Sequence, residues 1–349
     1  MYVPVMKNRT VEAGVLQKLS TMHVFDGSII PLVELIQEKT RSNNKNTFIQ
    51  DLCDLLSEAP DMHLMVDFYK STKLRNTTDA IREYVTMSVR LPDFGVNELA
   101  PLSQYRDRVV PVVSYLSESI SLDRIEFEAT HFRNTFPRLA FRVKVQEFDH
   151  VFSCVEKLIA SNDFLILDIE SASHMSPVFK KIYKRIDESK KKLGFMSIVL
   201  NAHRPENLTN KEMPDGEPIA DIDNSLKELY ATSYMSKFDG FGDYACISAA
   251  LPSTGGAISP VGIYYSNENN YFVSYKGRAP QLSEFPLYIA PKIVSSEYWS
   301  EFNNDHHETC PGCQEIMAVA TGTKSGRNQA QWKMITMLHY IYTMFEVDA

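Results

Sequence analysis

Two carboxylates one residue apart, Asp168 and Glu170, close the apolar run Phe164-Leu165-Ile166-Leu167. A four-residue run of that kind is too short for a helix and fits a strand buried on both faces. In folds built on parallel strands, chemistry gathers where strands end and loops begin. Carboxylates placed there can work as a general acid and base or bind a hard divalent ion such as Mg2+. If the strand runs on through them, Asp168 and Glu170 point to the same face. Glu34 follows Pro31-Leu32-Val33 and Asp67 follows His63-Leu64-Met65-Val66 in the same grammar. A further run, Ser197-Ile198-Val199-Leu200, leads into Asn201, His203 and Arg204, which could hold an anionic group. The competing reading makes the acids helix caps, or partners of Arg and Lys that close the layers of a barrel.

Three other stretches carry chemistry-bearing residues. Cys310-Pro311-Gly312-Cys313 has the two-residue gap of a zinc knuckle. No other CxxC exists in the chain, so the remaining ligands would come from His306, His307 and His339. A metal-free thiol pair in a tight turn is the alternative. The loop 321–328, with Lys324 and Arg327, precedes a helix and could hold a phosphate, although its spacing is not that of a P-loop. An ordinary surface turn is the alternative there. Asp239-Gly240-Phe241-Gly242-Asp243 reads as a tight turn at the mouth of a last strand.

These residues need elements to position them. Strand-like runs recur at 2–6, 28–35, 63–69, 109–115, 139–145, 164–170, 195–200 and 244–251, and helical patterns separate most of them. Asn46 is placed to cap the helix that follows it, and 121–137 is ambiguous between strand and helix. Eight strand–helix units predict an α/β fold, a (β/α)8 TIM-barrel-like domain over 1–252 with a C-terminal appendage over 253–349. An open doubly wound sheet is the runner-up, but no glycine-rich dinucleotide fingerprint follows the first strand. The appendage holds a tyrosine-rich hairpin, the Cys/His cluster and a terminal helix, and either caps the barrel mouth or completes the barrel.

Bulk properties narrow the function classes. With 349 residues, 36 Lys and Arg against 44 Asp and Glu, and a formal charge of −8, the chain lacks a broad cationic face for gripping duplex nucleic acid. The basic run Lys180 to Lys192 has helical spacing and reads as a solvated helix face. No apolar run reaches the roughly 20 residues of a membrane span. The opening residues read as a strand rather than a signal peptide, and five cysteines suit free thiols in a reducing compartment. The expectation is a cytoplasmic protein with no membrane contact.

Both ends of the chain resemble the phage "beta protein" family. The opening Tyr2-Val3-Pro4-Val5-Met6-Lys7 with Glu12-Ala13, and the strand Ile30-Pro31-Leu32-Val33-Glu34, carry the resemblance at the start. At the tail it is carried by Cys310 to Cys313, Glu315-Ile316, Trp332 and Leu338-His339-Tyr340-Ile341. Family members tend to show His-His-Ile at the last of these, and this chain has Tyr340 for the second histidine. The resemblance implies a setting, phage–host conflict, rather than a reaction. Two function classes stay open. One is a metal-assisted hydrolase of a nucleotide or nucleic acid, with Asp168 and Glu170 as metal or acid/base residues, Glu34 and Asp67 in support, and Zn or Mg as the ion. The other is a recognition module that binds a phage component or a protein from a defence locus through Tyr264, Tyr265, Tyr271 and Tyr275.

Overall fold

The computed structural model describes residues 1–38, 47–231, 238–251 and 258–348. Its centre is a closed barrel of eight parallel strands. In chain order the strands are β1 (Tyr2–Lys7), β2 (Leu32–Leu35), β3 (Leu64–Phe68), β4 (Val109–Val113), β5 (Ala140–Lys144), β6 (Phe164–Asp168), β7 (Met196–Asn201), β8 (Glu217–Pro218), β9 (Gly240–Asp243), β10 (Val261–Ser266) and β11 (Tyr271–Lys276). The barrel runs β1 through β7 and closes through β9 onto β1. The predicted TIM-barrel-like architecture is therefore present.

Side-chain alternation explains what the barrel encloses. Val5, Leu32, Met65, Val112, Ala140, Ile166 and Leu200 point inward and form an apolar interior. The residues two positions further along five of these strands are Lys7, Glu34, Asp67, Arg142 and Asp168. The barrel is thus apolar at its base and charged at its C-terminal rim. Register aligns this charged layer, with Lys7 opposite Glu34 and Glu34 opposite Asp67. The outward residues, among them Val33, Val66, Phe141, Leu167 and Phe241, pack under the surrounding helices.

The closing strand departs from expectation. The stretch Asp239 to Asp243 supplies the strand itself, and residues from Tyr244 onward form the loop above it. Its two glycines allow the closure. A Cβ on Gly240 would lie 2.7 Å from the Met1 carbonyl oxygen, and one on Gly242 2.6 Å from that of Val3. Such close backbone approach is what a glycine inside a strand permits.

Other boundaries also moved. The ambiguous 121–137 stretch holds a helix, Leu122–Arg133, capped by Ser121, whose hydroxyl accepts from the Arg124 amide. Ile125, Ala129 and Phe132 give it one buried face. Asn46 lies outside the described residues, and the helix Phe48–Glu58 is capped by Thr47. The basic helix Pro177–Leu193 presents Lys180, Lys181, Lys191 and Lys192 to solvent, as expected of a solvated face.

Beyond the barrel, β10 and β11 form the expected hairpin, and β8, from the crossover between β7 and β9, adds a third strand. The final helix Gln329–Asp348 covers this sheet and also packs on the helix Thr10–Ser20, where Lys333 pairs with Glu12 at 3.2 Å. Barrel shell and tail share one continuous apolar cluster. No helix among the described residues is long and apolar enough to cross a membrane.

Candidate active site at the barrel mouth

Arg142 sits at the centre of the charged layer. Its Nε and Nη2 donate to Asp168 Oδ2 at 2.9 and 2.7 Å, and Nη1 donates to Glu34 Oε1 at 2.7 Å and Asp67 Oδ2 at 3.1 Å. Nη2 also donates to the Tyr244 hydroxyl at 2.8 Å, and that hydroxyl donates on to Glu34 at 3.0 Å. These contacts engage all five donors of the guanidinium. Asp67 accepts a further bond from Ser114 at 2.6 Å, and Lys7 approaches the second oxygen of Glu34 at 3.5 Å. The layer therefore holds two cations, Lys7 and Arg142, against three carboxylates. Arg142 and Lys7 are members of this layer that sequence reasoning passed over. Their signal was a cation two residues after an inward apolar one, Val5 before Lys7 and Ala140 before Arg142.

Burial is offset to different extents at Asp67 and Glu34. It pushes Asp67 up, and because Arg142 and Ser114 only partly oppose this, its pKa rises to about 6. Burial also pushes Glu34 up, but the charges of Lys7 and Arg142 outweigh it and hold the carboxyl below its usual range. An acid that ionises near neutral pH, beside one that stays ionised, is the pattern of acid/base sites.

The layer forms the floor of an open cleft of about 1070 Å3, walled by the loops that follow the strands. Glu34, Asp67 and Asp168 are brought together there. Glu170 also lines the cleft, but it does not share a face with Asp168. The strand ends at Asp168, whose Oδ1 accepts the Glu170 amide at 2.9 Å, and Glu170 turns into a left-handed conformation with φ 52°. Its partly exposed carboxylate pairs with Lys144 at 2.9 Å. Ala245 and Cys246, after β9, also have positive φ, so two loops at this rim hold non-glycine residues in a costly conformation.

The expected anion-binding residues are divided. Arg204 lines the cleft and donates to the carbonyls of Cys246 and Leu208, while its Nε is buried without a partner. Asn201 and His203 are buried on the outer side of the barrel, where His203 accepts from the Cys246 amide at 3.2 Å. Lys324 and Arg327 lie on the exposed 321–328 connector, away from the cleft, and Lys324 pairs with Glu315. The buried Gly326 carbonyl there accepts from the Trp332 indole, which gives the loop a structural task.

The expected metal ligands do converge. His306, Cys310, Cys313 and His339 are all buried, with their ligand atoms within 4.8 Å of one another. The cluster could hold a metal ion. Pro311 and Gly312 are not a free turn, as expected, but the first turn of the helix Pro311–Ala320, with Cys310 just before it. His307 turns away and stacks on Trp299. Burial raises both thiols, but contacts with Cys313, His306 and His339 bring Cys310 well below its ordinary value, while Cys313 stays raised.

A family model described as "Beta protein" matches residues 2–346, nearly the whole chain. The chain belongs to the beta protein family. This membership fits a phage-related protein. Comparison with curated proteins gives no match. Among solved structures the chain is similar to a family 18 chitinase from Crocus vernus, at 10% identity over 69% of this chain and 91% of that one, with a TM-score of 0.39.

In this beta protein the residue after His339 has its own role. Tyr340 donates to Asp243 Oδ2 at 2.7 Å, and Tyr2 donates to the other oxygen of that carboxylate at 2.8 Å. The final helix thus reaches the closing strand β9 with one residue, Tyr340, and the Cys/His cluster with the one before it, His339. Tyr264, Tyr265 and Tyr275 are buried, the first two against His339 and Tyr340 of this helix, so they do not offer the recognition surface expected of them. Only Tyr271 of the four is partly exposed.

Proposed function

We propose that this beta protein hydrolyses a nucleotide or nucleic-acid substrate at the barrel mouth, in a phage–host conflict setting, with Asp67 and Asp168 as the acid/base pair. One observation carries the reading: both carboxylates hold the same Arg142 guanidinium on the floor of an open cleft. Asp168, in its salt bridge, takes a proton from the attacking water. The water oxygen bonds to the electrophilic atom, the bond to the leaving group breaks, and protonated Asp67 gives its proton to that group. With a pKa of about 6, Asp67 keeps a protonated fraction close to neutral pH, which suits a general acid. Arg142 meets the negative charge that develops.

Arg142 also bears on metal assistance at this rim. A hard cation would compete with Arg142, four of whose donors already hold one oxygen of each of Asp168, Glu34 and Asp67. The proposed chemistry accordingly uses the guanidinium as its positive charge. Arg204, Lys73 and Arg75 line the cleft wall without a carboxylate partner among the described residues, and they suit the phosphate of such a substrate.

The test is hydrolysis of a panel of nucleotides and short oligonucleotides by the wild type, Asp67→Asn and Asp168→Asn. The reading expects turnover that falls at least ~100-fold in both variants. A wild type inert on the whole panel overturns the substrate class, and turnover that survives both changes overturns the assignment of the pair.

A further inference from the structure

We propose that His306, Cys310, Cys313 and His339 form a closed, four-ligand zinc site that fastens the final helix to the tail of the barrel. The inference is independent of the hydrolase reading. His339 Nδ1 lies 3.6 Å from each of the two sulfurs. Zinc bonds of about 2.3 Å to sulfur and about 2.0–2.1 Å to nitrogen, at tetrahedral angles, place sulfur and nitrogen about 3.6 Å apart.

Each histidine is oriented for the task from its far side. His339 Nε2 is bonded to the Tyr265 carbonyl at 3.1 Å, which leaves Nδ1 toward the thiols. His306 Nδ1 is bonded to the Glu346 carboxylate at 2.5 Å, and its Nε2 is buried without a protein partner. A carboxylate or carbonyl behind each ligating imidazole is the usual support of a zinc ligand.

The local sequence fits the same purpose. A Cβ on Gly312 would lie 2.6 Å from the His339 amide nitrogen, so glycine lets the CxxC helix rest against the ligand on the final helix. The Tyr264 ring stacks on His339 at 4.1 Å and the Phe302 ring on His306 at 4.2 Å, which closes the cluster to water. Two sulfurs and two imidazoles favour a soft, tetrahedral ion. Two thiolates cancel the charge of a divalent ion, which makes it tolerable in an apolar interior. Both thiol protons leave to solvent when the ion enters. No ligand is left open to substrate, so the site is structural.

The full-length protein is stripped with a chelator and titrated with Co2+, then with Zn2+. The proposal expects one equivalent to saturate, thiolate-to-cobalt charge-transfer absorption together with tetrahedral ligand-field bands, and displacement of cobalt by zinc. Cys313→Ser should weaken zinc at least 100-fold. Cobalt bound without thiolate absorption, or zinc held equally well by the wild type and Cys313→Ser, overturns the proposal. Because the spectrum is read on the wild type, a variant that misfolds does not decide the outcome.

Discussion

The barrel mouth and the tail cluster each gather titratable side chains from distant parts of the chain, and they differ in what surrounds them. At the mouth, Glu34, Asp67 and Asp168 are buried at their bases but face a cleft open to solvent, beneath loops with positive-φ residues. In the tail, the two thiols and two imidazoles are enclosed by Tyr264, Phe302 and the final helix. Charge is compensated at the mouth by a fixed guanidinium, and in the proposed tail site by an ion. An open, internally compensated cluster can exchange protons with a ligand. An enclosed cluster can serve only to hold the fold together.

Several substitutions would break or sharpen this contrast. The largest effect is expected from Arg142→Leu, which strands three buried carboxylates. Removing one partner of a buried pair costs about 3–5 kcal/mol, to be read by denaturant unfolding. A loss under about 1 kcal/mol would mean that the layer is not held by this residue. Asp168→Asn keeps the shape and should cost at least ~100-fold in turnover, about 2.7 kcal/mol in the barrier. Its zinc content should be unchanged.

Asp67 gives a pH signature. Its proton leaves near 3.8 in the unfolded chain and near 6 in the folded one, so the folded state binds more protons between those values. Stability from this group is therefore full below about pH 4 and falls as pH rises toward 6, by up to about 3 kcal/mol. Asp67→Asn should flatten that slope in unfolding measured across the window. A slope retained in the variant would assign it to another group. The smallest effect belongs to the link between the two regions. Tyr340→Phe removes one bond to buried Asp243 and should cost about 1–2 kcal/mol, without loss of zinc. Loss of the metal there would show that the two faces of the final helix act as one unit.

The strand–helix alternation made the barrel legible, because parallel strands buried on both faces read as continuous apolar runs. The rim acids Glu34, Asp67 and Asp168 were legible for the same reason, as polar ends to those runs. Arg142 was not, since pairing across the barrel depends on which strands face one another and no local spacing records that. The eighth strand was missed because Gly240 and Gly242 look like a turn when the backbone of β1 that they must clear is out of view. Glu170 was misplaced because alternation stops where the strand does. The tail ligands were named from the CxxC and nearby histidines. His339 joined them only because the final helix folds back across 26 residues onto Cys313.

The division between an ion-free mouth and an ion-bearing tail is tested most directly by metal content per chain in wild type, Asp168→Asn and Cys310→Ser, purified side by side. The account predicts one zinc in the first two and none in the third. Metal lost from Asp168→Asn and kept in Cys310→Ser would place the ion at the mouth and contradict it.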